Sequence, residues 1–158
     1  MFIGYSSMQR KGYDVRELIQ VIGEILDSEA GLNVAVVGIG NLGRAITTYF
    51  IGKRSKLNIV ATFDVDTNKI DRVIAGVKCY SLSRLKELVQ SLEISIAIMT
   101  VPADSALEVS RQLVEAGIKG VLNFTTVPLN LAPVVYLDEY DMITSLEKVA
   151  YFVKLGRM

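Results

Sequence analysis

The chain of 158 residues has no histidine, no tryptophan, one cysteine and three prolines. Without histidine it lacks the commonest acid–base group and the commonest metal ligand, so we expect no metal site and no histidine-based catalysis. A single cysteine excludes an intrachain disulfide, which fits a cytoplasmic, reducing compartment. No apolar run reaches the roughly 18 residues of a membrane-spanning helix, and we expect no membrane partner.

The chain also has no excess of charge of either sign, because 17 basic residues are matched by 17 acidic ones. The chain alone therefore has no electrostatic attraction for nucleic acid. Hydrophobic residues, by contrast, make up 51% of it. That fraction is high for a soluble domain, and it indicates apolar surface that another subunit covers.

The most informative stretch that is present runs from Asn33 to Ala45. Its first half is apolar and β-branched, which is typical of a strand buried on both faces. Its second half is Gly-x-Gly-x-x-Gly followed by helical spacing, and this order is the context of a dinucleotide-binding turn. We expect the first glycine to allow a sharp turn, the second to admit a pyrophosphate and the third to let the helix pack closely. The predicted cofactor loop consists of Gly38, Ile39, Gly40, Asn41, Leu42 and Gly43.

An acidic residue follows the second predicted strand. Asp64 lies 21 residues after Gly43, and the usual spacing is about 20. Its carboxylate can accept hydrogen bonds from both hydroxyls of the adenosine ribose and would repel a 2′-phosphate. The predicted cofactor is therefore NADH or NAD, with Val65 as a further contact. A tight turn without a ligand is the alternative for the glycines.

Strands and helices alternate along the chain, which predicts an α/β fold with a parallel, doubly wound sheet of the Rossmann type. The predicted strands cover about 32–37, 58–63, 77–80, 94–99, 119–124 and 134–137. The predicted helices cover about 14–31, 41–50, 67–74, 85–92, 104–116 and 144–155. Asp14, Ser83 and Thr144 are expected to cap helices, and Gly117 to end one.

The domain organisation is predicted from composition. Residues 1–13 are interpreted as a lead-in or linker remnant, because they are polar and contain two glycines. Residues 14–158 form the Rossmann domain. Residues 141–158 are predicted to be a terminal dimerisation helix, swapped between the two subunits of a dimer.

Ligands of such sheets bind beyond the carboxyl ends of the strands. Thr100, Val101 and Pro102 follow the fourth predicted strand, and Asn123 and Phe124 lie at the end of the fifth. We expect both segments to contact the nicotinamide half of the cofactor, with ordinary turn chemistry as the alternative for Thr100 and Asn123. The apolar members would favour the neutral reduced ring over the charged oxidised ring.

Three features that could carry chemistry are interpreted as structural. Tyr49 and Lys53 have the spacing of a short-chain dehydrogenase pair, but they lie far along their helix from the nicotinamide. Cys79 lies in a short strand and is expected to be a buried packing thiol. Asp64 and Asp66 lack a neighbouring ligand set for a metal. No catalytic residue is identified, and we predict that the chain is not an enzyme.

Six motifs in sequence order support a more specific interpretation. They are Lys11–Val15, Val36–Ala45, Phe63–Asp66, Thr100–Ala103, Ala116–Phe124 and Tyr140–Asp141. Together they resemble the Rex family of bacterial redox-sensing transcriptional repressors. The resemblance implies a homodimer that senses the NADH/NAD ratio, in which NADH binding rearranges the dimer and releases it from operator DNA. It also implies that the terminal helix of each subunit reaches across the dimer.

The sequence departs from the family pattern in two places. The family's N-terminal winged-helix domain has no counterpart here, so operator binding is expected only through a domain that this chain lacks. Family members often have an aromatic residue after the acid matching Asp141, where it covers the partner's nicotinamide, and here that residue is Met142. Asp141 is the candidate for relaying the cofactor signal to the dimer.

Two other functions remain open at this point. The first is a small NAD-dependent oxidoreductase. The second is a CoA-binding Rossmann domain, since such domains share the glycine turn. Asp64 argues against the second, because its carboxylate would repel the ribose 3′-phosphate of CoA.

Overall fold

The computed structural model describes residues 15–28, 31–51, 53 and 56–156. The chain divides into two units, residues 1–31 and 32–158. The described part of the first unit forms helix α1 (Val15–Ser28), as the helical spacing of its apolar residues predicts. The proposed lead-in and the cap at Asp14 lie outside the described residues.

The second unit contains a sheet with helices on both faces. The strands are β1 (Leu32–Val37), β2 (Leu57–Asp64), β3 (Val73–Ile74), β4 (Val77–Ser81), β5 (Ile94–Met99), β6 (Gly120–Asn123) and β7 (Tyr136–Glu139). The helices are α2 (Asn41–Phe50), α3 (Leu85–Ser91), α4 (Ala106–Ala116) and α5 (Met142–Leu155).

The seven strands lie in the order β3-β4-β2-β1-β5-β6-β7. Every neighbouring pair is parallel except β3 with β4. Apart from β3, this is the strand order of a doubly wound Rossmann sheet, with the switch point between β1 and β5. The predicted fold class is confirmed.

The core lies on both faces of the sheet, because successive side chains of a strand point to opposite sides. Ala35 and Val37 of β1 belong to the larger cluster, over which α3 and α4 pack. Val34 and Val36 belong to the smaller cluster, over which α2 packs through Ile46. These four β1 side chains are at most 5% exposed. The glycine turn therefore leaves the sheet from a strand that is firmly held on both sides.

The predicted helix over 67–74 is wrong. A single helical turn begins at Asp66, but it ends at Asp71, whose φ of 66° lies in the left-handed region. The chain then forms the β3–β4 hairpin through Ala75 and Gly76, with φ angles of 53° and 82°. Two positive φ angles in a row are typical of a type I′ hairpin turn. The crossover from β2 to β4 therefore contains no helix.

Helix α5 begins earlier than predicted, and the predicted cap at Thr144 is wrong. The cap is Asp141, whose carboxylate accepts hydrogen bonds from the backbone N–H groups of Ile143 and Thr144. The helix start is set by β7, which lies two residues later than the predicted strand 134–137.

Two other helix ends can be compared with the sequence. The predicted cap at Ser83 is wrong, because the Ser81 hydroxyl accepts from the Ser83 N–H and begins a short 3-10 turn ahead of α3. Gly117 ends α4 with a φ of 96°, as predicted.

Helix α5 differs from the other helices of this unit in that none of its residues is buried. Its large apolar side chains Leu146, Val149, Tyr151, Phe152 and Val153 are between 52% and 70% exposed. A helix that is apolar on more than one face and buries none of its residues is typical of an interface element. Within the described part of the chain, no helix combines the length and apolar character needed to cross a membrane.

Candidate functional site at the carboxyl end of the sheet

Two glycines of the turn after β1 are required by the fold itself. Gly38 has a φ of 93°, and a Cβ there would lie 2.8 Å from the backbone carbonyl of Thr100. A Cβ on Gly43 would press into the Gly38 carbonyl oxygen, far inside van der Waals contact. These positions let the turn pass β5 closely and let α2 pack against it, as the motif predicts.

Gly40 is different, because nothing in the protein requires a glycine there. Its φ of −75° is accessible to any residue, and a Cβ would meet nothing within 4 Å. Gly40 is the N-cap residue of α2, and no side chain caps this helix end. The amides of the first helical turn lack intrahelical acceptors and carry partial positive charge. The space that a Cβ would fill therefore suits a phosphate group.

Asp64, at the end of β2, is tied to the glycine turn. Its Oδ2 accepts a hydrogen bond from the Ile39 N–H at 2.8 Å. Its Oδ1 accepts from the N–H groups of Val65 at 2.7 Å and Asp66 at 2.9 Å. A carboxylate has about four lone-pair sites, so Oδ2 keeps one for a ligand hydroxyl. The acid therefore holds the loop in place and still has acceptor capacity.

Thr100 and Asn123 hold the backbone together with their side chains. The Thr100 hydroxyl lies 2.6 Å from the Gly38 carbonyl oxygen and 3.2 Å from that of Val37. The Asn123 side chain is fully buried. Its amide nitrogen donates to the Val127 carbonyl and to Glu139, and its oxygen accepts twice from Thr125. The turn-chemistry alternative therefore describes both side chains.

A cavity of about 350 Å³ opens beside Asp64, at the switch point of the sheet. It joins Gly38, Asp64 and Val65 to Val101 and Pro102. The sequence places Val101 and Pro102 with the nicotinamide, whereas the structure brings them together with the acid that follows β2. Phe124, Asp141 and Met142 are not among the lining residues.

The far wall of this cavity comes from residues that sequence reasoning missed. They are Leu82, Asp104, Ser105, Glu108, Val109 and Gln112. Three of them lie four residues apart on α4 and its preceding turn, which places them on one helical face. That spacing, directly after a strand at the switch point, is the signal that could have found them.

A second group of residues lies beyond the ends of β6 and β7. The rings of Phe124 and Tyr140 are in contact, with 5.2 Å between their centroids. The Tyr140 N–H donates to the Asn123 carbonyl at 2.9 Å. The Asp141 carboxylate also accepts from the Thr144 hydroxyl, and these hydrogen bonds hold the pKa of Asp141 below its usual value. Met142 is 49% exposed.

The other candidates for chemistry have structural surroundings. Tyr49 is exposed on α2, with its ring against Phe50 and the Lys53 ammonium over it. Cys79 is fully buried, and this burial raises the pKa of its thiol. In the described part of the chain, no cluster of three acidic or sulfur ligands could hold a metal.

The fold and this site define a Rossmann-type nucleotide-binding domain. A family model described as CoA binding domain matches residues 29–127. The chain is 38% identical to the redox-sensing transcriptional repressor Rex of Leuconostoc citreum (strain KM20) over 152 residues, which are 96% of this chain and 70% of that protein.

Solved structures agree with this relationship. RSP, described as a Rex-family repressor, is similar with a TM-score of 0.80 at 28% identity, covering 97% of this chain and 73% of RSP. RSP in complex with beta-NADH gives a TM-score of 0.79 at 29% identity, and the match covers 92% of this chain and 70% of the RSP chain. RSP in complex with beta-NAD+ and operator DNA gives 0.80 at 29% identity, covering 92% and 67%. The chain therefore belongs to the Rex family of redox-sensing transcriptional repressors, and its residues 29–127 to the CoA binding domain family.

Proposed function

We propose that this chain is the NAD(H)-binding, redox-sensing domain of a transcriptional repressor. The observation that carries the proposal is Gly40, the one glycine of the turn that the fold does not require. The absence of its side chain matters to something outside the protein, and a pyrophosphate at the N-terminus of α2 is the group that fits. The Rex relatives support the same cofactor.

The cavity beside Asp64 takes the adenosine end of the dinucleotide. Asp64 accepts a hydrogen bond from a ribose hydroxyl through its remaining site on Oδ2, and the adenine ring lies against Val65, Val101 and Pro102. The pyrophosphate crosses the turn at Gly40. The nicotinamide then extends toward Phe124, because the sheet continues in that direction beyond the switch point. Val101 and Pro102 are thus reassigned from the nicotinamide end to the adenosine end.

The same carboxylate selects against two related cofactors. NADPH carries a 2′-phosphate and CoA a 3′-phosphate on the ribose that Asp64 would hold. Each would bring negative charge against an ionised acid already fixed by three backbone amides. Like charges at this distance are unfavourable, so both ligands bind more weakly than NADH.

The nicotinamide is bound in both redox forms but not converted. The sequence has no histidine, and Asn123, the polar side chain nearest the end of β6, is occupied by its own chain. Discrimination rests on charge, because an apolar lining at Phe124 and the partner's Met142 disfavours the positively charged oxidised ring. A tenfold preference needs only about 1.4 kcal/mol.

The functional unit is a homodimer in which α5 of each protomer packs on its partner. The support is the apolar surface of α5, which stays exposed among the described residues of this unit. Binding of NADH shifts the arrangement of the two protomers, with Asp141 at the start of α5 as the relay. The balanced charge of the chain gives it no attraction for DNA, so we place the operator contacts outside the Rossmann domain.

Calorimetric titration of the purified chain with NADH, NAD, NADPH and CoA tests this function. We expect NADH to bind most tightly, NAD about tenfold or more weakly, and the two phosphorylated ligands more weakly still. Equal affinity for NADH and NAD would leave a binding domain without redox discrimination. Tightest binding of CoA would replace the proposal by the CoA-binding alternative, and turnover of a hydroxy acid with NAD by the oxidoreductase.

A further inference from the structure

Apart from Asp64, the polar side chains that line the cavity beside it all come from α4 and the turn before it. Leu82, Val101 and Val109 form apolar surface on which a flat aromatic ring can pack. This polar rim consists of Asp104 and Ser105 in the turn before α4 and of Glu108 and Gln112 on α4 itself. None of the residues that line it, all of them described, is basic. The rim therefore offers mainly hydrogen-bond acceptors.

Gln112 and Ser105 are the half-buried members of this rim, and Gln112 has an amide that can both donate and accept. Its Nε2 donates to Glu108 Oε1 at 3.1 Å. Glu108 is fixed in turn by the Arg111 guanidinium, and these hydrogen bonds hold the pKa of Glu108 below its usual value. No donor to Gln112 Oε1 is present among the described residues. The carbonyl side of the amide is thus an acceptor without a partner at the cavity rim.

We propose that Gln112 Oε1 accepts a hydrogen bond from the exocyclic amine of adenine, and that Glu108 is a positioning residue that keeps the Gln112 amide in this orientation. The inference rests on the proposed function, since it concerns the purine of the same dinucleotide. It assigns a base specificity to the site, in addition to the ribose and redox preferences. A purine with a carbonyl oxygen at this ring position would place an acceptor against an acceptor and leave both unpaired.

The direct test compares NADH with reduced nicotinamide hypoxanthine dinucleotide, in which a carbonyl oxygen replaces the adenine amine. Calorimetric titration of the intact chain should give an affinity about tenfold lower for the hypoxanthine form, the effect of one lost hydrogen bond at a half-buried site. Equal affinities would overturn the inference and leave the proposed function intact. Absence of binding by either ligand would overturn both.

Two variants separate the roles of the two side chains. Gln112→Leu should remove the difference in affinity between NADH and the hypoxanthine form by lowering the affinity for NADH. The leucine keeps the volume of the side chain but lacks the acceptor. Glu108→Ala should remove the same difference by raising the affinity for the hypoxanthine form. Without Glu108, the Gln112 amide can turn its N–H₂ group toward the carbonyl oxygen of hypoxanthine. A structural role alone would lower both affinities equally and leave their ratio unchanged.

The matched control is Gln90→Leu, a change of the same kind at an exposed position of α3 outside the cavity. It should leave both affinities and their ratio as in the parent chain. A full tenfold gap in Gln112→Leu would contradict the assignment of Gln112. An unchanged affinity for the hypoxanthine form in Glu108→Ala would contradict the positioning role of Glu108.

Discussion

The two ends of the proposed cofactor site are built differently. The adenosine end is enclosed by this chain, where the glycine turn, Asp64 and the α4 rim surround one cavity. At the other end, Phe124 and Tyr140 contact each other, but the helix that follows them has no buried residue. One end is complete within a single chain, and the other presents apolar surface without a partner.

This difference suits a sensor. Most of the binding energy can come from the adenosine and the pyrophosphate, which are identical in NADH and NAD. The ring that changes with redox state would lie where two subunits meet. A ligand shifts an equilibrium between two arrangements only by its differential affinity for them. We infer that the redox-dependent contact lies at the incomplete end for this reason.

At the adenosine end, the largest loss of stability is expected from a substitution of Gly43. We expect Gly43→Ala to destabilise the fold by roughly 3 kcal/mol or more, because the added methyl group must displace the Gly38 backbone or α2. Urea unfolding of the variant measures this. Gly40→Ala is the control, since its methyl group meets nothing within 4 Å. Equal stability of the two variants would contradict the packing described here.

Gly40→Val should leave the fold intact but abolish tight binding of NADH. The branched side chain fills the space assigned to the pyrophosphate, so NADH affinity should fall by at least about a hundredfold. Calorimetry with NADH measures the loss, and circular dichroism verifies the fold. A folded variant with unchanged affinity would show that the phosphates bind elsewhere.

At the incomplete end, a polar substitution on the exposed surface of α5 should weaken dimerisation. Leu146 is 70% exposed, and burial of a leucine contributes about 1.5–3 kcal/mol. Leu146→Asp should therefore weaken dimerisation by at least about tenfold, measured by sedimentation. Leu107→Asp is a matched control, because Leu107 is 64% exposed on α4. A monomeric parent chain, or an unaffected dimer in Leu146→Asp, would contradict the proposed interface.

The two ends also differ in how far the sequence predicts them. The glycine turn and Asp64 follow from local spacing, because a strand, a turn and a helix in sequence already fix the geometry. The α4 rim depends on where β5 ends relative to β2, which is a long-range relation. Thr100 and Asn123 lie at the strand ends where the sequence places them, but their side-chain partners Gly38 and Glu139 are distant in sequence. Local pattern therefore gives position, and only the fold gives the contacts.

The errors in secondary structure have the same origin. The hairpin turn at Ala75 and Gly76 requires positive φ at both residues, and an alanine gives no signal for that conformation. The cap of α5 falls on Asp141 rather than Thr144 because β7 ends at Glu139 and fixes where the helix begins. In both places, strand pairing decided between two locally acceptable conformations.

A smaller effect is expected at Asp64. Asp64→Asn should weaken the binding of NADH by roughly 1–3 kcal/mol through loss of charge-assisted hydrogen bonds. It should also narrow the difference between NADH and NADPH, because the repulsive charge is gone. Asp66→Asn is the matched control, since that carboxylate accepts from the Asn68 N–H and pairs with Lys69. A wild-type chain that binds NADPH as tightly as NADH would contradict the assignment.

The smallest effect is expected at Asp141, which links the second end to α5. Hydrogen bonds from Thr144 and Ile143 hold the pKa of this carboxyl below its usual range. A group whose pKa is lower in the folded state stabilises the fold above its unfolded pKa, and the contribution is lost as the pH falls through the folded value. Thermal unfolding should therefore show a small advantage of the parent chain over Asp141→Asn at pH 7, which narrows below about pH 4. The carboxamide of the Asp141→Asn variant still caps the helix, so the stability of this variant should depend less steeply on pH.

Salt should reduce the difference in stability between the two proteins, because the group is fully exposed. A difference that is constant between pH 7 and pH 3 would show that the charge of Asp141 does not stabilise the start of α5, and would remove the physical basis for a relay at this position.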